Sequence, residues 1–331
     1  MTFPSLPNRL GLGLAALGRP GYITLGHSAD LNQPAGRHTY APDQMAAHAA
    51  TVLDAAWHAG VRYYDAARSY GKAEQFLAAW LHSRAIPPAA VVVGSKWGYT
   101  YTANWQREAA VHEVKEHTLP VLQRQWGEST TLLGEWLDLY QIHSATLESG
   151  VLENRAVLDG LARIRAERGI TLGLSVSGTG QAATIERALA ITVDGQPLFG
   201  SVQATWNVLE RSAEKTLAAA ASAGWTVIVK EALANGRLTP RNDDPAFHSA
   251  LALLTAQAAR LHTTVDALAL AAVLDQPWAA IVLSGAASVA HLRSNAAALD
   301  VRLDDEARAA LATLRESADF YWQQRSALPW N

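Results

Sequence analysis

Short apolar runs alternate with longer amphipathic stretches along nearly the whole chain. The runs are Leu10–Leu14, Arg62–Asp65, Val91–Lys96, Leu137–His143, Thr171–Ser175, Ser201–Ala204, Thr226–Lys230 and Ala280–Ser284. Each is short, rich in Val, Ile, Leu or Tyr, and apolar almost throughout rather than at every second position. That is the pattern of a strand buried on both faces, as in a parallel sheet. Between the runs, apolar residues recur at helical spacing over 43–59, 72–84, 105–126, 151–168, 181–190, 211–223, 248–274 and 288–299. Punctuation supports several of these helices. Asp43 follows Pro42 near the start of the first and Gly60 closes it, while Gly169 and Gly224 each end a helix just before a strand. Unbroken strand–helix alternation predicts an α/β fold, a closed (β/α)8 TIM barrel. A doubly wound sheet is the rival. No linker divides the pattern, so a single domain over 1–331 is expected, with a C-terminal tail of about 317–331 over the barrel mouth.

Composition narrows the function more than the fold. Apolar residues are 49% of 331, enough for a large core and against global disorder. Lys plus Arg is 27 against 30 Asp plus Glu, a net charge of −3. No basic excess is present to neutralise phosphates, which argues against a nucleic-acid partner or a polybasic membrane patch. There is no cysteine, so disulfides, thiolate metal sites and cysteine nucleophiles are excluded. The first residues lack a positive cluster ahead of an apolar run, and no apolar stretch reaches the ~20 residues of a membrane span. A cytoplasmic protein without a membrane or metal site is the expectation. The sequence does not set the oligomeric state, and a monomer is the working assumption.

Two motifs imitate known sites. Gly178-Thr-Gly180-Gln-Ala-Ala183 has the form of a dinucleotide loop but lacks the acidic residue ending a second strand, so it reads as a glycine-rich turn over a barrel helix. His112-Glu-Val-Lys-Glu-His117 places its histidines five apart. On a helix they diverge by ~140°, which serves one ion poorly and suggests a solvated helix face.

The strand ends carry the stronger message. Asp65, Lys96, His143, Ser175, Gln203, Lys230 and Ser284 stand at or near the C-terminal ends of otherwise apolar strands. In a barrel those ends converge on one mouth, where active sites sit. Asp65, Lys96 and His143 come from successive strands, and Tyr70 follows on the loop after the second. A phenol alone titrates near ~10. A neighbouring ammonium favours its phenolate, an aspartate holds that ammonium, and a neutral histidine gives a second hydrogen bond to a carbonyl oxygen. Tyr70 then serves as a general acid, with Lys96 and His143 stabilising the developing charge.

These segments, Leu10-Gly-Leu-Gly13, Tyr64-Asp65 with Tyr70-Gly71, Ser95-Lys96 and Asp138-Leu-Tyr-Gln-Ile-His143, resemble the aldo-keto reductases over nearly the whole chain. The resemblance implies NAD(P)(H)-dependent interconversion of aldehydes, ketones or aldoses with alcohols, and a catalytic tetrad of Asp65, Tyr70, Lys96 and His143. It also implies a nicotinamide cofactor, NADP(H) favoured and NAD(H) possible. The cofactor would be held by Ser175, Gln203 and Lys230, by Leu233, Asn235 and Gly236 of the loop after strand 7, and by Gly285, Ser288, His291 and Asn295 after strand 8. Several positions depart from the family pattern. Val176 stands where many members have asparagine, Lys230 replaces an aromatic, and Gly285 and His291 replace a Lys and an Arg of many NADPH-specific members. Trp97, Tyr99 and Trp105, with a long polar loop of about 19–40, suggest a small-molecule carbonyl or sugar substrate. Two alternatives remain open: a Schiff-base barrel aldolase using Lys96 or Lys230, and a redox-sensing binding protein resembling potassium-channel β subunits.

Overall fold

The computed structural model describes residues 6–31 and 40–331; residues 32–39 of the long loop after the first strand lie outside them. Eight parallel strands close into a barrel: β1 (Leu10–Gly13), β2 (Tyr63–Asp65), β3 (Val92–Trp97), β4 (Leu137–Ala145), β5 (Thr171–Val176), β6 (Ser201–Thr205), β7 (Thr226–Lys230) and β8 (Ile281–Ser284). They follow sequence order around the ring, and β8 pairs back onto β1 through Leu10 and Val282. The expected (β/α)8 barrel is therefore the fold, and the doubly wound rival is excluded. The outer layer includes α1 (Pro42–His58), α2 (Ala73–Ser83), α3 (Leu119–Leu133), α4 (Arg155–Arg168), α5 (Gln181–Leu189), α6 (Glu214–Ser222), α7 (His248–Arg260), α8 (Val265–Leu274) and α9 (Val289–Ala296). Among the described residues no helix is long and apolar enough to cross a membrane.

Strand alternation sorts side chains between two cores. Tyr63, Val92, Leu139, Ile228 and Ile281 fill the barrel interior. Tyr64, Val93, Ile142 and Leu174 face outward and bury the helices' apolar stripes. The same parity continues to the strand ends, so Asp65 and Lys96 follow Tyr63 and Val92 inward while Trp97 follows Val93 outward.

Two expected helices are different. Residues 105–126 are not one helix: Tyr99–Tyr101 pairs antiparallel with Glu113–Lys115, and α3 begins only at Leu119. Val114, Tyr99 and Tyr101 suit strand geometry, and Pro120 in the first turn of α3 is where a helix tolerates proline. The span 248–274 is broken into α7 and α8, with His262 in the left-handed region and the Thr264 hydroxyl capping the backbone N–H of Ala267. Two further helices, α10 (Asp305–Ala312) and α11 (Ala318–Ser326), end the chain. α11 is anchored by Tyr321, whose buried hydroxyl accepts from Asn207 Nδ2 at 3.0 Å.

The loops after β1 and β2 interlock backbone to backbone. Lys72 N donates to Gly18 O at 2.7 Å, and Gly71 sits at φ +60°. A Cβ on Gly18 would lie 2.3 Å from the Tyr70 carbonyl oxygen, so only glycine allows this approach. Gly18→Ala is expected to lower stability by roughly 1–3 kcal/mol through overpacking, measured by urea unfolding; an unchanged midpoint would show that the two loops separate freely.

Candidate active site

One cavity of about 930 Å³ opens at the C-terminal mouth of the barrel. Asp65, His143, Ser175, Gln203, Lys230 and Ser284 all line it, so the polar strand ends do meet in one place. Small-molecule clefts span ~300–1,000 Å³, which puts this one near the upper end.

At its floor Lys96 is completely buried. Its ammonium forms an ion pair with the Asp65 carboxylate, donates to Ala66 O at 2.9 Å and reaches Tyr70 Oη at 3.5 Å. Asp65 Oδ1 also accepts from Gln203 Nε2 at 2.8 Å and Tyr63 Oη at 3.3 Å. The His143 ring stands edge-on to Tyr70, centroids 5.4 Å apart, and its Nδ1 lies 3.4 Å from Ser69 Oγ. The structure therefore brings Asp65, Tyr70, Lys96 and His143 into one cluster.

The charges in this cluster decide which protons stay. Burial, then the positive charges of Lys96 and Arg19, drive the His143 imidazole well below its ordinary pKa, so it is neutral. Tyr70 moves the opposite way from the sequence expectation. Burial, then the Asp65 charge, hold its phenol well above the ordinary value, and Arg19 offsets only part of this. Burial is the larger cause, and the lysine does not act alone against it. Asp65 accompanies it, and the field of a close ion pair falls off faster than that of a lone charge. Tyr70 thus keeps its proton at neutral pH.

The remaining predicted positions lie along the β5–β8 side. Ser175 Oγ accepts from the backbone of Ser144 at 2.8 Å. Lys230 donates to Ser177 Oγ at 2.8 Å and Thr205 Oγ1 at 2.9 Å, and burial lowers its pKa to about 8. Leu233, Asn235, Gly236, Gly285, His291 and Asn295 all line the cavity. Ser288 does not: its hydroxyl caps α9 by accepting from His291 N, and Ser294 on the same helix lines the cavity instead. Asn235 donates to Ile23 O, and Asn295 to Ser284 Oγ, each at 2.8 Å. The carboxamide oxygens of both asparagines are buried without a partner among the described residues.

Of the three aromatics expected to touch substrate, only Tyr99 lines the cavity, its ring 5.0 Å from that of His143. Trp97 is fully buried on the outward face of β3 against His117. Trp105 packs on Phe76 and donates to Tyr40 O. Neither is on the lining. The His112–His117 segment is likewise no helix face. His112 stacks on Trp330 at 3.9 Å, and His117 Nε2 donates to His143 O at 2.9 Å. The Gly178–Ala183 segment is the turn from β5 into α5, with Gly178 at the cavity wall. Among the described residues no group of three His, Asp or Glu could hold a metal.

Four charged residues of the site are not among the predicted site positions, although Arg19 and Arg325 lie in the loop and tail that the sequence places near the mouth. Arg19 lies 5.1 Å from the Tyr70 ring and 4.8 Å from that of Trp330, and donates to Glu113 at 2.9 Å. Arg241 is paired with Asp30 beside His291 at the far end of the cavity. Glu231, in the left-handed region at φ +54°, accepts from Arg325 at 2.7 Å and Thr205 at 3.1 Å. Arg325 comes from α11, so its approach is visible only once the chain is folded. Burial alone would raise the Glu231 pKa, but Lys230 and Arg325 hold it at about 2, down from 4.5. Its contribution to stability is thus complete above pH 4.5 and is lost as pH falls toward 2. Glu231→Gln is expected to remove roughly 3 kcal/mol at pH 7, with the two proteins converging near pH 2. Denaturant unfolding against pH checks this, and a constant difference across that window would contradict it.

Comparison with known proteins agrees with this geometry. The model of the Aldo/keto reductase family matches residues 31–316. A probable aryl-alcohol dehydrogenase of Saccharomyces cerevisiae is 27% identical over 283 residues, 77% of this chain and 84% of that protein. Among solved structures, the aldo-keto reductase AKR11C1 of Bacillus halodurans, in its holo form, superposes with a TM-score of 0.69 at 19% identity, covering 94% of this chain and 93% of that one. An aldo/keto reductase of Klebsiella pneumoniae in complex with NADP and acetate gives a TM-score of 0.64 at 23% identity, covering 93% and 91%.

Proposed function

The chain belongs to the aldo/keto reductase family, and from that premise we propose that it reduces an aldehyde or ketone with NADPH, Tyr70 delivering the proton. The observation that carries this reading is the buried Asp65–Lys96 pair beside a protonated phenol and a neutral imidazole, with Asp65, Tyr70 and His143 lining one cavity and Lys96 buried behind them.

The cavity's donor and acceptor set suits such a cofactor. The orphan oxygens of Asn235 and Asn295 suit amine or hydroxyl donors, of which a dinucleotide has several. Arg241 places a guanidinium and His291 an imidazole at the same end, where a phosphate ester would find hydrogen-bond donors. The Klebsiella relative holds NADP in its crystal structure, which supports NADP(H) over NAD(H) here.

When bound, the reduced nicotinamide supplies the hydride, two electrons to the carbonyl carbon. The protein's own residues do the rest. Neutral His143 and the Tyr70 hydroxyl offer hydrogen bonds to the carbonyl oxygen. As negative charge builds on that oxygen, the Tyr70 proton transfers to it and an alcohol results. Lys96, 3.5 Å from Tyr70 Oη, stabilises the phenolate left behind, and Asp65 fixes the lysine in position. Lys96 is already committed to three oxygens, which favours this role over that of a Schiff-base nucleophile. The polar walls and Tyr99 suit a small polar, aryl or sugar carbonyl.

Tyr70→Phe tests the reading. NADPH affinity by fluorescence titration is expected to persist, while turnover of a simple aldehyde falls by about 10²–10⁴-fold. Retained turnover would refute the acid role of Tyr70, and absent NADPH binding in the unaltered protein would refute the cofactor.

A further inference from the structure

The cavity wall contains five cationic side chains besides its histidines: Arg19, Lys115, Lys230, Arg241 and Arg325. Four are already engaged. Arg19 bonds Glu113, Arg241 bonds Asp30, Arg325 bonds Glu231, and Lys230 bonds two hydroxyls. Lys115 differs. Among the described residues it makes no hydrogen bond and no ion pair, and its nearest ring contact is Tyr99, with Nζ 5.9 Å from the centroid. It is half-buried, and burial lowers its pKa from the ordinary lysine value; the Glu148 charge opposes this only in part. A partly desolvated ammonium whose nearest opposing charge, Glu148, stays outside ion-pair distance is incompletely compensated.

Its position relates it to the chemistry. Lys115 is on the second strand of the hairpin, directly opposite Tyr99 in register, so both side chains share one face. Tyr99 in turn contacts the His143 ring at 5.0 Å. Beside it, Glu113 is neutralised by Arg19, which leaves the Lys115 charge uncompensated at this wall. Ser144 and Thr146, on the strand carrying His143 and just past its end, also line the cavity.

We propose that Lys115 is a specificity-determining residue that receives the carboxylate of the substrate, so that the preferred substrates are aldehydes or ketones bearing a carboxylate. The inference rests on the proposed carbonyl reduction and adds the substrate's charge. One unpaired ammonium balances one negative charge. A phosphate ester carries nearly two, and among the described residues no second cation free of an ion pair or hydrogen bond lines this wall to meet the other.

The test compares two aldehydes of the same shape, 4-carboxybenzaldehyde and its neutral amide, 4-formylbenzamide. The unaltered enzyme is expected to favour the acid in kcat/KM by about tenfold, the worth of a charge-assisted hydrogen bond at a partly exposed site. Lys115→Met should bring the ratio close to one, and Lys115→Arg should retain the preference. The ratio cancels any general loss of folded enzyme. Equal rates for acid and amide in the unaltered enzyme, or a ratio that Lys115→Met leaves intact, would overturn the proposal. So would a preference for glyceraldehyde 3-phosphate over glyceraldehyde with none for the acid, which assigns the wall to phosphate esters. A binding measurement separates this inference from the activity beneath it. Benzoate should quench tryptophan fluorescence at lower concentration than benzamide, and Lys115→Met should erase the difference. If neither aldehyde is reduced, the proposed activity fails, yet the benzoate result still decides the role of Lys115.

Discussion

The ion pair between Lys96 and Asp65 is the constraint on which the rest of the site depends. Both side chains lie inside the barrel, away from water, where either charge alone would carry a penalty of several kcal/mol. The pair is tolerable because its other hydrogen-bonding groups are met. Ala66 O accepts from the ammonium, and Gln203 and Tyr63 donate to the carboxylate. Three strands, β2, β3 and β6, must therefore hold their relative register, and a closed barrel fixes that register without a free edge.

From this pair follow the protonation states around it. Loss of water and then the Lys96 charge keep His143 neutral, while burial and then Asp65 keep Tyr70 protonated. A donor imidazole and a donor phenol are what a developing alkoxide needs. An isolated lysine would have pulled the phenol toward its ionised form. Burial, with Asp65 beside the lysine, instead leaves the proton on Tyr70.

The rim adds a second layer of order. The contact between Gly18 and Tyr70–Lys72 steadies the loop that carries Tyr70. The hairpin of Tyr99–Tyr101 and Glu113–Lys115 supplies one wall, and α11 with the terminal residues supplies Arg325 and Trp330. Charge at this rim is largely matched, Arg19 with Glu113, Arg241 with Asp30, and Arg325 with Glu231. Lys115 is the exception: among the described residues it forms no ion pair, and Glu148 acts on it only from a distance.

The barrel, and the gathering of Asp65, Tyr70, Lys96 and His143 at its mouth, could be read from the chain because both are written locally. Doubly buried strands leave continuous apolar runs, and polar residues ending those runs mark one rim. Strand parity likewise fixes that Lys96 faces inward, and it should have shown that Trp97 faces outward. The hairpin was harder to see, since three-residue strands carry too little periodicity to compete with the helical spacing around them; Pro120 was the available clue. The direction of the Tyr70 shift, the partners of Arg19, Glu231 and Arg241, and the solitude of Lys115 were not legible. Each depends on which distant charge lies within a few ångströms, as when Arg325 crosses from α11 to Glu231. Local pattern determines the strands and the residue types at their ends. Only closure of the barrel and its rim decides the distances between charges, and those distances set which protons and counter-ions each group keeps.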